Sequence, residues 1–250
     1  MIDLAPAYGF GLVVLRTAGL VMTAPVTGES GVPARARIAI SVAVGLAAFL
    51  GAAAPSPLPP ESALQLAFSG VAETALGALA GLGARWIVAA AEAAGQIIGL
   101  SMGLGYGASV TPGGSDSAVT SRLFHQLALA AAVALGLHRE GFAWLCRSVR
   151  ALPPGQVTTD HLHGLALQAA SQAMLGIGLS VRIAFPVLVA TTAGHLALGL
   201  AGRFSPQLNL QSIGFSIAIL AGGAALYLFT PAAVELVAQQ AALAVSPALR

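Results

Sequence analysis

Lysine is absent: all eleven basic residues are arginines. Without an ε-amine the chain has no P-loop lysine, no Schiff base and no Ser–Lys hydrolase pair. Cys146 is the one cysteine, so neither an intrachain disulfide nor a cysteine zinc site can form; it reads as a small apolar helix residue. Charge of either sign is scarce, 8% of 250 residues against about 25% in a soluble domain. A formal net charge of +2 is too small for a nucleic-acid surface. Internal repeats, a low-complexity tail and any stretch polar enough for a soluble domain are missing as well.

What is present is apolar: 57% hydrophobic residues and a mean hydropathy of +0.85. Folding in water would need more polar surface than eleven basic and nine acidic side chains provide. Lipid is the consistent solvent, and in hydrocarbon a helix satisfies its own backbone polar groups. The fold class is therefore all-α: a multi-helix integral membrane protein with helical hairpins and broken helices. Residues 1–250 read as a single membrane domain of six or seven apolar segments.

The first segment, 4–26, carries Arg16 near its middle. Asp3 stands where a basic n-region would be, so this segment does not read as a cleaved signal. The second, 38–54, is ended by Pro55, Pro57, Pro59 and Pro60. The third, 62–104, would reach roughly 60 Å as one helix, about twice the hydrocarbon thickness. It is predicted to turn back at Gly81, Gly83 and Arg85 or else to project from the bilayer. Residues 103–117 hold five glycines and a proline and read as loop. A fourth segment follows at 121–137, then an amphipathic stretch, 140–152. The fifth segment, 164–200, contains Arg182 and Pro186, and the last covers 213–237. Arg35 and Arg37 lie in one connection, and Arg139, Arg147 and Arg150 in another. The positive-inside rule puts both on the cytoplasmic side.

Two patterns bear on function. Gly95, Gly99, Gly103 and Gly107 recur every fourth residue, a row that lets another helix backbone approach closely. Arg85, Glu92 and Gln96 lie on the same helix at near-turn spacing. The row serves either packing within one bundle or a subunit interface or pore lining. Arg16, Glu73, Arg85, Glu92 and Arg182 are isolated ionisable groups in apolar segments. Each is costly in lipid unless paired or facing water, so they are expected at protein interfaces or an aqueous path. His161 and His163, even with Asp160, do not make up a metal shell. No nucleophile elbow, HExxH or dinucleotide fingerprint stands in its required context. No cofactor or metal is expected, and enzyme chemistry is not.

Three blocks carry a family resemblance: RTAGLVMTAP (16–25) with GVPARAR (31–37), GQIIGLSMGLGYGASVTP (95–112), and the 201–215 turn with Arg203, Pro206, Gln207 and Gly214. Through them the chain resembles the FliR family of flagellar export-gate proteins, whose injectisome counterpart is the T component of type III secretion. The resemblance implies a non-enzymatic subunit in the bacterial cytoplasmic membrane at the flagellar basal body. Its implied partners are FliP-like and FliQ-like subunits and a FlhB-like switch protein, around unfolded substrates in transit. It also implies that Tyr106, Gly107, Ala108, Ser109, Val110, Thr111, Pro112, Gly113 and Gly114 form a plug. Arg16, Glu73, Arg85, Glu92, Gly95, Gln96, Gly99, Gly103 and Arg182 are the interface or pore-facing candidates. A secondary transporter with a helix broken at 103–114 is the alternative from another class, although the inverted repeat usual in such folds is missing.

Overall fold

The computed structural model describes residues 4–52, 57–104, 119–204 and 210–245. Among these residues there are seven α-helices and no strand: α1 (Ala5–Thr23), α2 (Ala34–Ala52), α3 (Ala63–Ser101), α4 (Val119–Ala134), α5 (Leu137–Ala151), α6 (Thr159–Phe204) and α7 (Leu210–Val245). Five are long and apolar enough to cross a membrane, or six if α4 and α5 are taken as one bent span. The break between α4 and α5 falls at Gly136, whose φ of 77° suits a residue without Cβ.

The chain forms two compact units. Unit 1 comprises residues 1–87, 132–174 and 240–250, and unit 2 comprises 88–131 and 175–239.

In unit 1, α1 and the first half of α3 run side by side in the same direction. Tyr8 meets Ser69 through their hydroxyls at 2.8 Å, and further along Thr23 Oγ1 donates to the Ala78 carbonyl at 2.9 Å. Glycine makes this approach possible. A Cβ on Gly77 would collide with the Arg16 carbonyl, one on Gly19 with the Thr74 carbonyl, and one on Gly81 with the Thr23 hydroxyl. Helix α2 returns antiparallel to α1, with the Phe10 and Phe49 rings edge to face at 6.0 Å. Helix α5 lies alongside: Trp144, Leu145 and Val149 form a core with Val13 and Ala48, and Arg150 donates to the Gly51 carbonyl at 3.0 Å.

Two expectations are corrected here. Helix α3 is continuous for 39 residues, with no turn at Gly81–Arg85. Gly81 is small because α1 lies against it, and the helix passes through. The stretch 140–152 is not a connection lying on one side. It is most of α5, packed lengthwise along α2 and parallel to it. Arg139 therefore lies at the end of the unit where α2 begins, while Arg150 lies at the end where α2 finishes, and the two cannot mark the same membrane face.

In unit 2, residues 88–101 of α3 and 119–131 of α4 form an antiparallel hairpin with a small core of Val88, Ala91 and Ala128. The ends of α6 and α7 in this unit also pack antiparallel, Gly194 by Ile217 and Gly214 by Leu198. Helix α6 is unbroken for 46 residues despite Pro186.

If the approach of α1 and α3 rests on glycine, Gly77→Ala will lower stability by roughly 1–3 kcal/mol through overpacking. Gly83, whose Cβ would meet nothing within 4 Å, provides the contrast. Gly83→Ala is expected to be neutral or stabilising by up to about 1 kcal/mol, because alanine is the better helix former. Thermal unfolding of the detergent-solubilised chain reads both, and equal effects at the two positions would refute the packing role of Gly77.

Candidate functional site: a buried ion pair and a glycine-cut hairpin

Arg16 is fully buried in the middle of α1. A guanidinium without water must find its partners in the protein, since an unpaired buried charge is costly. Its Nε donates to Glu73 Oε2 on α3 at 2.6 Å, and Glu73 is fully buried too. Nη1 donates to Ser148 Oγ on α5 at 3.3 Å, and Nη2 to the Leu152 carbonyl at the end of α5 at 3.0 Å. The second oxygen of Glu73 accepts the backbone N–H of Gly155 at 2.8 Å. Gly155 is the third residue of a turn, Pro153–Gln156, closed by the Gln156 N–H on the Pro153 carbonyl at 3.2 Å. Its φ of 80° is the left-handed value that a turn with proline second and glycine third requires. One ion pair thus ties α1, α3, α5 and the α5–α6 turn of unit 1. Arg16 and Glu73 sit in the interior of that unit, facing each other rather than a surface or a pore.

The hairpin of unit 2 holds the second group. Gly95 is buried against α4: a Cβ there would come within 2.7 Å of the Thr120 carbonyl and 2.8 Å of the Ser121 Cα. Thr120 Oγ1 donates to the Gly95 carbonyl at 2.8 Å. One turn earlier on α3, Glu92 Oε2 lies 3.1 Å from His125 Nδ1 of α4. Gly99 is buried as well, while Gln96 on the same helix is exposed. Gly103, φ 76°, ends α3: Leu104 N–H bonds the Gly99 carbonyl at 2.9 Å and Gly103 N–H the Leu100 carbonyl at 3.1 Å. That bond pair is a Schellman cap, which satisfies carbonyls the last turn would otherwise leave open.

Of the remaining candidates, Arg85 and Arg182 are exposed on α3 and α6. Residues Tyr106–Gly114, with Gly107 of the glycine row, lie outside the described residues. Among the described residues no three His, Cys, Asp or Glu side chains come together as a metal site would need. Sequence reasoning missed Gly19, Gly77, Ser148 and Gly155. The four-residue spacing of Gly77 and Gly81 carries the same close-approach signal as the Gly95 row. The Pro-Pro-Gly of the turn was legible as a turn, but its role toward Glu73 has no local signal.

Among the described residues, seven helices, five of them long and apolar enough to cross a membrane, two far longer than a bilayer requires, and a fully buried ion pair in unit 1 define an α-helical membrane protein. Residues 7–243 match the family described as bacterial export proteins, family 1. Flagellar biosynthetic protein FliR of Escherichia coli (strain K12) is 29% identical over 209 residues, 83% of this chain and 78% of that protein. The FliR of Caulobacter vibrioides is 28% identical over 220 residues, 86% of this chain and 85% of its own. The FliR of Bacillus subtilis (strain 168) is 27% identical over 224 residues, covering 88% and 84%. The chain belongs to the FliR family, and is a membrane component of the bacterial flagellar export apparatus, in the cytoplasmic membrane at the flagellar basal body.

Removing either half of the ion pair strands the other. Arg16→Met or Glu73→Leu alone is expected to destabilise unit 1 by about 3–5 kcal/mol, and the double apolar replacement by much less. Thermal unfolding and the level of protein in the membrane measure both. A double variant no more stable than either single one would show that the pair is not the organising contact.

Proposed function

We propose that the chain is a non-enzymatic strand of the channel wall in the flagellar type III export gate, and that Tyr106–Gly114 is its plug. The observation that carries this is the length of exposed apolar surface on α6. Leu167, Met174, Ile177, Phe185, Leu196 and Leu200 are all exposed. From Leu167 to Leu200 the helix rises about 50 Å, whereas hydrocarbon is about 30 Å thick. Lipid covers only part of that surface, so other protein must cover the rest. FliP-like and FliQ-like subunits are the partners the family implies, with a FlhB-like switch protein beside them. Arg85 and Arg182, exposed on the two long helices, are the interface or pore-facing groups of this arrangement.

The plug assignment is supported by its stem. The segment is joined to α3 and α4 where Gly95, Thr120 and the Glu92–His125 pair hold these helices together. Such a stem keeps its place while the segment between its ends yields to an unfolded substrate. Glycines in that segment allow the backbone change at low steric cost.

Deleting residues 106–117 is expected to leave co-purification of the partner subunits intact and to make the membrane leaky to small ions. Ion tightness equal to that of the parent assembly would overturn the plug assignment.

A further inference from the structure

Unit 1 holds a partly open, mostly apolar cavity of about 230 Å³. Its wall includes Leu20, Ile40, Val44, Ala84, Phe142 and Trp144, drawn from α1, α2, α3 and α5. Dry apolar cavities of about 150 Å³ already accept hydrophobic guests, and an unfilled one forfeits dispersion contacts along its whole lining.

The end of the unit that holds this cavity is basic. His138 is part of the wall, and Arg139 follows it on α5. Arg37 stands one turn before Ile40 on α2, with Arg35 beyond it, and Arg85 follows Ala84 on α3. Arg37 Nη2 donates to the Glu29 carbonyl, while its buried Nε has no hydrogen-bond partner among the described residues. The acidic residues at this end are Glu29 and Glu140, and Glu140 lies 3.9 Å from Arg147. His138 of the wall and four arginines next to or near wall residues in sequence thus stand at this end of the unit, against two carboxylates.

We propose that this cavity is a binding site for an anionic phospholipid. One acyl chain fills the apolar space, and the headgroup phosphate is held by Arg37, His138 and Arg139. An apolar side chain of another protein would match the cavity but not the arginines near it. A free phosphate would match the arginines but leave the cavity empty. Only a molecule carrying both parts uses both features, and the bilayer supplies it at high local concentration.

The chain's two tryptophans, Trp86 and Trp144, make the site readable by fluorescence. Trp86 is exposed and can be replaced, leaving Trp144 on the cavity wall as the sole emitter. The full-length Trp86→Phe chain is reconstituted in phosphatidylcholine vesicles containing a minor fraction of either phosphatidylglycerol or phosphatidylcholine with brominated acyl chains. Trp144 is expected to be quenched preferentially by the brominated phosphatidylglycerol. Arg37→Gln and Arg139→Gln should each weaken that preference roughly fivefold, the effect of one basic group near a membrane surface. Gly141 lines the cavity, and a Cβ there meets nothing within 4 Å. Gly141→Leu should fill the space without disturbing the fold and abolish the preferential quenching, so the answer survives if an arginine variant folds poorly. Equal quenching by the two lipids, quenching unchanged in Gly141→Leu, or no quenching of Trp144 by either lipid would each overturn the proposal.

Discussion

A guanidinium in the dry middle of a helix sets the terms for unit 1. Arg16 has no water, so its hydrogens must go to protein oxygens: the Glu73 carboxylate, the Ser148 hydroxyl and the Leu152 carbonyl. Meeting Glu73 requires α1 and α3 to lie nearly backbone to backbone, which in turn requires that Gly19, Gly77 and Gly81 carry no side chain. Satisfying the far oxygen of Glu73 requires an amide aimed inward from the α5–α6 turn, which the left-handed conformation of Gly155 provides. Glycine content, turn chemistry and charge placement are thus a single constraint seen from three sides. Half of it is worse than none, since a lone buried charge destabilises more than an apolar pair would.

The same logic separates what is local in the sequence from what is not. Membrane class follows from composition, and helix follows from it in turn, because in hydrocarbon the backbone must satisfy its own polar groups. That Arg16 and Glu73 need partners follows from the cost of charge in hydrocarbon. That they are each other's partners does not follow, because they lie 57 residues apart and no local pattern links them. Gly95 was legible as a close-approach site through its spacing, and it does pack against α4. Gly81 was misread as a break because its low helix propensity is a local property, whereas the adjacent α1 backbone that makes it necessary is not. The amphipathic pattern of α5 was visible, yet a pattern gives only a face. It took Arg150 on the Gly51 carbonyl to show that α5 runs the length of α2.

The two long helices invert the usual relation between a membrane protein and its solvent. In a monomer the bilayer dictates helix length, and 20 or so residues suffice. With 39 and 46 residues, α3 and α6 answer to something taller than a bilayer. Their apolar surface is therefore a poor guide to where lipid lies, because it extends beyond what hydrocarbon can cover.

The cap at the end of α3 has a mechanical consequence. Gly103 and Leu104 bond back to Leu100 and Gly99, so the final turn completes itself with its own residues. A helix that borrows its last hydrogen bonds from the segment beyond will unwind when that segment is pulled. Here tension arriving from the residues after Leu104 meets a knot already tied. Load applied beyond Leu104 therefore meets a finished helix end before it reaches Gly95 and its contacts with α4.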